Sequence, residues 1–512
     1  MAIVAGMAVS FLLYGYALVY WRNADMDFMV IYNALALNDG KPQHFFDHTG
    51  YITILSVKVW FTILHGLGLL NSYSLSTMPA PSDSQAFDTA MTGAVRAGRI
   101  LAWMIATGCV MVFAGLMRAI ARDWRLALMA TFAFAFSGGL AVHTRILRTE
   151  LVAACPVTFA LMVLIVIGRR ASPTRPLWMA LAAALCVLGL ENKVQTILLI
   201  AALPLLILPF GSAESASAPF WRGRTAFLLT ILAMIAAFAA TWLAAPLIAT
   251  GLDRPLLDAS GFHPLMFSRF GIYQAALLFF VGGCMIVYAA IWRISVAETV
   301  ASMAALATGA FMALLALNLD YNAGNVIAVF NPLEKMLTFA DAGAVSAAGQ
   351  SNLGDIFRLF LDGIASVIAR YSFVFHSSPR PTVFLTWLIV PGIVYAWSRG
   401  ERQAAVQALL LLLAAMGIDA LGVRRGLKSE YFVFTDPLII LAGAFLLGRL
   451  PDLRFHKWAF PIALVLFVLQ LLVGQAEPVK YAFMRRGPES ICEWNQSYMP
   501  LMPLPWCMGP RS

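Results

Sequence analysis

Runs of about twenty uncharged, apolar residues recur from one end of this chain to the other, the length an α-helix needs to cross a roughly 30 Å hydrocarbon core. They point to an all-α polytopic membrane protein. Lipid offers no partner to open backbone groups, and the segments are too long to be the strands of a spanning barrel. Composition agrees: 61% of the 512 residues are hydrophobic and 12% are charged, against about 25% charged in soluble domains. The first run, Ala2 to Trp21, lacks a basic leader and exceeds the apolar core of a secretory signal, so it reads as a retained anchor. The net charge of +9 comes from cations scattered through short loops, which carries no nucleic-acid reading.

Beyond the first span, crossings are expected near 96–117, 126–142, 150–168, 176–190, 194–210, 225–250, 272–292, 295–317, 382–398, 403–418, 432–448 and 458–474, about 13 in all. Alternate loops hold Arg118, Arg122 and Arg125; Arg169, Arg170 and Arg175; Arg222 and Arg224; Arg293; Arg399 and Arg402; and Arg449, Arg454 and Lys457. The positive-inside rule makes these loops cytoplasmic, with the N-terminus inside and the C-terminus outside. Of the 26 carboxylates, only Asp123, Glu214, Glu298, Glu401 and Asp452 then fall in inner loops. Function is therefore expected on the outer face.

The reading divides the chain into a membrane domain, 1–474, and a short outer tail, 475–512. Three outer segments, 22–95, 251–271 and 318–381, are too long for plain turns, and long ordered loops are usually functional. In the first, Phe28, Ile31, Tyr32 and Leu35 recur at helical spacing and Tyr51 to Leu70 is apolar, so both stretches are expected as helices at the interface. Between them and the next span, 71–88 reads as a mobile polar loop. The third segment carries an amphipathic stretch, Ile356 to Ile368, beside a small polar run that suits a lid. No internal repeat is visible. Cys109, Cys155, Cys186 and Cys284 sit within apolar spans as buried thiols, whereas Cys492 and Cys507 lie in the outer tail and are expected to form a disulfide.

Charge gathers at four outer corners. Asp25 and Asp27 follow directly on the first span. His143-Thr-Arg-Ile-Leu-Arg-Thr-Glu150 puts Arg145 and Arg148 outside, against the positive-inside trend, next to Glu150. Glu191-Asn-Lys193 is squeezed between apolar runs, where the two charges either neutralise each other or serve a site. Arg424, Arg425 and Lys428 precede Tyr431 and form a cluster suited to a phosphate or an anionic headgroup. Each corner has a plain structural reading as a helix cap or solvated flank. Together they suit attack on a lipid-linked phosphate ester, with a carboxylate taking the proton of a hydroxyl nucleophile while cations stabilise the departing phosphate.

At these residues the chain resembles the GT-C superfamily of integral membrane glycosyltransferases, which use polyprenyl-phosphate sugars. The resemblance runs over most of the chain and implies a GT-C-like helical bundle. Asp27, in Asp-Phe-Met-Val-Ile-Tyr-Asn-Ala, matches the acid after the first helix that serves there as base, with Asp25 as neighbour or alternate. Phe45-Phe-Asp-His-Thr-Gly50 resembles the aromatic-Asp-x-His-Pro element of protein mannosyltransferases and aminoarabinose transferases, without the proline. Arg145 to Glu150, Gly189-Leu-Glu-Asn-Lys193 and Lys428-Ser-Glu-Tyr…Pro437 resemble further elements of that group, which includes arabinofuranosyltransferases.

The resemblance implies an inverting transfer to a glycan, glycolipid or protein hydroxyl. Asp27, Asp25 and Glu150 are then the catalytic candidates. Arg145, Arg148, Lys193, Arg424, Arg425 and Lys428 would bind donor phosphate, and His48 and Tyr431 would touch substrate. A divalent cation, Mg²⁺ or Mn²⁺, is compatible with Asp25, Asp27 and Glu150, and metal-free catalysis is equally compatible with the surrounding cations. The implied location is the inner membrane of a bacterium, with the site on the periplasmic side. A lipid-linked sugar flippase, or a polymerase or ligase using a lipid diphosphate donor, remains an alternative.

Overall fold

The computed structural model describes residues 1–23, 27–41, 50–121, 123–168, 175–211, 271–292, 294, 296–320, 353–373, 380, 382–422, 428–449, 456–483 and 492–507. Among these the secondary structure is helical, with no strand. Among the described residues three helices are long and apolar enough to cross a membrane, Ser84–Ile120, Glu150–Gly168 and Arg402–Leu421, and shorter apolar helices accompany them. Their outward faces carry Leu13, Met111, Leu177, Phe279, Val394 and Leu472, all largely exposed. Water would penalise such a surface, whereas lipid tails match it.

In chain order, α1 is Ala2–Tyr16, α2 Met29–Asn38, α3 Tyr51–Gly66, α4 Ser84–Ile120, α5 Trp124–Ala135, α6 Gly138–His143, α7 Glu150–Gly168, α8 Arg175–Asn192 and α9 Thr196–Ile207. After the undescribed stretch come α10 Gly271–Trp292, α11 Val296–Asp320, α12 Leu353–Ser372, α13 Val383–Ser398, α14 Arg402–Gly422, α15 Asp436–Arg449, α16 His456–Phe483 and α17 Cys492–Tyr498. The expected crossing at 225–250 lies outside the described residues, as does most of the outer segments 251–271 and 318–381.

Several expectations shift. The first span ends at Tyr16, where a π turn over Leu12–Tyr16 closes it. The span expected at 126–142 is two helices, because Phe136 and Ser137 leave helical geometry and the Ser137 hydroxyl caps α6 by accepting the Leu140 N–H at 3.3 Å. Helix α4 begins at Ser84, capped by Asp83, so the outer segment expected to reach residue 95 ends in helix. Helix α2 is not an interfacial helix with one wet face: Met29 through Ala36 are all buried, which makes it a core element under α3 and α4. The loop expected to be mobile is tied down, since Asp39 accepts the Ser76 N–H at 2.8 Å and its hydroxyl at 2.7 Å. Helix α16 runs on to Phe483, beyond the expected start of the tail.

The Cys492–Cys507 disulfide forms as expected, with its Cα atoms 5.4 Å apart. The segment it closes buries Met499, Met502 and Leu504 among Tyr20, Phe28 and Tyr32. Trp506 packs on Tyr20 and Trp21, and the Leu501 N–H donates to the Tyr32 hydroxyl at 3.4 Å. The tail therefore clamps the segment that follows α1.

A second fixed point is Arg380, which has no exposed surface. Its guanidinium bonds Asp419 at the end of α14, Asp436 at the start of α15 at 2.9 Å, and the hydroxyls of Tyr371, Thr382 and Thr435. Phe432 stacks on it with the ring centre 4.5 Å away. Asp436 also accepts the Gly139 N–H at 3.3 Å, so one cation joins α6, α12, α14 and α15. Arg380→Ala leaves two buried carboxylates without their cation and is expected to cost about 3–5 kcal/mol. The check is thermal unfolding in detergent, where an unchanged midpoint contradicts the assignment.

Candidate functional site

The turn after α1 brings Asp27 inward. Its side chain is fully buried, with one oxygen held by Arg99 through Nε at 2.9 Å and Nη2 at 2.7 Å, and the other accepting the Leu147 N–H at 2.7 Å. Arg99 lies in α4 and is equally buried, and it also donates to the carbonyls of Gly15 and Leu18. Three elements thus meet at one carboxylate: the exit of α1, the N-terminal half of α4 and the corner after α6. Burial raises the Asp27 pKa above the ordinary carboxylate value, against the opposing pull of Arg99. Raised proton affinity suits a general base better than an unperturbed Asp does.

The next three corners converge on Glu150. This carboxylate, with no exposed surface, accepts from Arg148 at 3.1 Å twice and from the Lys193 ammonium at 2.5 Å. Arg148 also faces Glu430 at 3.4 Å. Burial would lower the Arg148 pKa, but Glu150 and Glu430 outweigh it and hold the guanidinium more firmly charged than usual. Two cations and two carboxylates make a neutral ring. Tyr431 lies under the Lys193 ammonium, 5.2 Å from ring centre to nitrogen.

The backbone around this ring is pinned as well. Asn192, between Glu191 and Lys193, accepts the Thr53 N–H at 3.1 Å and its hydroxyl at 3.0 Å, and donates to the Thr149 carbonyl. Gly139 allows α6 to lie directly on the Ser429–Phe434 turn, for a Cβ there would sit 2.3 Å from the Val433 nitrogen. The His143 Nε2 then reaches the Glu430 carbonyl at 3.1 Å.

Arg145 is different in kind. Its acceptors among the described residues are neutral: Ser10, the Ala141 carbonyl at 3.0 Å and Gln475. Burial lowers its pKa to about 10, which leaves it charged at neutral pH. Its backbone crosses α1 at Gly15, where a Cβ would meet the Arg145 Cβ at 2.9 Å, so only glycine permits the approach. An enclosed guanidinium lacking a carboxylate among the described residues is the group here best placed to receive an external anion.

Asp25, His48, Arg424 and Arg425 lie outside the described residues. Lys428 is exposed and shows no ion pair in the ring. Glu191 and Lys193 do not neutralise each other: Lys193 turns to Glu150, and Glu191 Oε1 is a buried oxygen with no partner among the described residues. Of the donor set considered for a divalent cation, Asp25 lies outside the described residues, and Asp27 and Glu150 are paired with cationic side chains. Arg99 pairs with Asp27, and Arg148 and Lys193 pair with Glu150. Arg99 was missed in the sequence although its signal was present, as an arginine inside an apolar span reports a buried partner.

No family model matches the chain, and no curated protein matches it. Among solved structures, the archaeal oligosaccharyltransferase AglB from Archaeoglobus fulgidus, in complex with an inhibitory peptide and a dolichol-phosphate, is similar with a TM-score of 0.50 and 14% identity. The match covers 100% of this chain and 61% of that one, so this chain spans under two thirds of its length. What the two share is a fold.

Proposed function

We propose that the chain is an inverting glycosyltransferase that moves a sugar from a polyprenyl-phosphate donor to a hydroxyl of a glycan, lipid or protein at the outer face of the membrane. The observation that carries this reading is that Asp27, buried against Arg99, takes the Leu147 N–H of the same corner that supplies Arg145 and sets Arg148 beside the buried Glu150–Lys193 pair. The likeness to an oligosaccharyltransferase bound to dolichol-phosphate supports a lipid-phosphate donor.

In the proposed step the acceptor oxygen attacks the anomeric carbon as the bond from that carbon to the phosphate oxygen breaks. The bonding pair leaves with the lipid phosphate, and the acceptor proton passes to Asp27. A single displacement inverts the anomeric centre, through an oxocarbenium-like state. Arg145 meets the charge developing on the phosphate, with Lys428, Arg424 and Arg425 as further cations from the fourth corner. Arg148 and Lys193 hold Glu150 in place. Asp27 Oδ1 keeps a free lone pair beside its bond from the Leu147 N–H, whereas Oδ2 is occupied twice by Arg99. Asp27 is sealed from solvent, so acceptor entry requires the adjoining segments to part.

A flippase would need ionisable groups along a path through the spans. The described ionisable residues instead gather at the corners, which favours an interfacial enzyme.

Purified protein should transfer radiolabelled sugar from a polyprenyl-phosphate donor, and Asp27→Asn should lower the rate by about 10²–10⁴-fold with donor binding retained. Unchanged transfer by Asp27→Asn would remove Asp27 from the base role. Because the base must be ionised and its pKa is raised, the acid limb of the rate profile is expected above the ordinary Asp value of about 3.9; a limb at or below it contradicts the assignment. Asp27 and Arg99 should also couple in stability. Each of Asp27→Asn and Arg99→Met strands a buried partner, while the double variant strands neither, so its loss should fall short of the sum by about 1–3 kcal/mol. Additive losses in thermal unfolding would contradict the pairing.

A further inference from the structure

His143 is 2% exposed and sits at the end of α6, against the ring of charges around Glu150. Its Nε2 lies 3.1 Å from the Glu430 carbonyl, and a carbonyl oxygen only accepts, so Nε2 carries the hydrogen. Burial lowers the pKa of the ring to about 4, against the opposing pull of Glu150, and the imidazole is neutral at neutral pH. The remaining nitrogen, Nδ1, is then a bare acceptor. It is buried and has no partner among the described residues.

Two other buried side-chain atoms beside the same ring share that condition. Ser429 Oγ precedes Glu430 in the turn packed under α6, and Thr149 Oγ1 lies between Arg148 and Glu150. Both residues are nearly sealed, at 6% and 1% exposure. Buried polar atoms are bonded in the great majority of cases, and three exceptions on residues flanking one charged group ask for an unseen partner. The cations and carboxylates of the ring already satisfy one another, so the missing partner need not be charged. It must offer a donor to Nδ1 and meet two hydroxyls, which each donate and accept. A polyhydroxylated ligand does this.

We infer that His143 Nδ1, Ser429 Oγ and Thr149 Oγ1 form a subsite for the hydroxyls of the transferred sugar, with His143 accepting a hydrogen bond from one of them. The inference rests on the glycosyltransferase reading above and adds to it the residues that recognise the sugar apart from its phosphate. These are binding residues; proton transfer stays with Asp27.

The test separates sugar from phosphate. Binding to protein in nanodiscs is measured for undecaprenyl phosphate and for the same lipid phosphate carrying mannose, glucose or arabinose. The subsite predicts that at least one sugar tightens binding over the bare lipid phosphate. His143→Gln keeps an amide N–H to reach the Glu430 carbonyl but removes the acceptor at Nδ1. It should lose the sugar-dependent gain by roughly 10- to 100-fold, as expected for a buried polar group left unpaired, with binding of bare undecaprenyl phosphate within about twofold. His143→Asn places an amide oxygen near the Nδ1 position and gives up the Glu430 bond; it should retain more of the gain than His143→Gln.

Ser429→Ala and Thr149→Val remove the hydroxyls at small volume change, and each should reduce the same gain even where a His143 variant fails to fold. The subsite is overturned if no sugar tightens binding to the wild type, if these variants leave the gain intact because the atoms hold water alone, or if they weaken both ligands equally. Failure of the wild type to bind even bare undecaprenyl phosphate overturns the donor reading itself and takes the subsite with it.

Discussion

Glu150 stands at the first residue of a membrane-crossing helix, fully buried, with Arg148 at 3.1 Å and Lys193 at 2.5 Å. A carboxylate in that position is tolerated only if cations are brought to it, and the effective penalty of an unmet buried charge is several kcal/mol. Meeting it draws in the corner after α6 through Arg148 and the end of α8 through Lys193. The turn before α15 follows, because Arg148 also carries Glu430. Once those elements are gathered, the Leu147 N–H is fixed where Asp27 needs it, and the exit of α1 is drawn to the same place. The apolar faces then pack around this polar knot, while their outer sides meet lipid.

Much of this was legible in the chain because hydrocarbon makes charge conspicuous. The apolar runs located most of the helices, and corners such as His143–Glu150 and Glu191–Lys193 stood out against them. The disulfide was legible for a similar reason, since Cys492 and Cys507 alone lie outside the apolar runs. Pairing was not legible. Nothing local distinguishes Lys193 bonding Glu191 from Lys193 bonding Glu150, since that choice depends on how α7 and α8 pack. Arg99 and Arg380 escaped for the same reason: each is defined by partners remote in sequence, Asp27 for one and Asp419 with Asp436 for the other. The burial of α2 was hidden because its polar residues are few and find protein partners, as Asn33 does in the Met29 carbonyl at 2.8 Å and Asn38 in the Tyr73 carbonyl at 2.7 Å.

The site divides its cations into two kinds. Arg99, Arg148, Lys193 and Arg380 are committed to carboxylates, and their work is to hold geometry. Arg145 bonds only neutral groups among the described residues, so an arriving anion need not displace a carboxylate to reach it. The enclosed setting makes its charge act at lower dielectric than at the surface, which would strengthen its hold on the phosphate of the proposed donor. The tail clamped over Tyr20 and Trp21 borders the same region and limits how far the Asp27 segment can move.

The measurement that tests this account most directly is a structure of the protein in a nanodisc with undecaprenyl phosphate bound. The account predicts the phosphate beside Arg145, with a guanidinium nitrogen about 2.7–2.9 Å from a phosphate oxygen, on the Asp27 side of the helix corners. A phosphate bound among other cations, with Arg145 still engaged by Ser10 and Gln475, would contradict it.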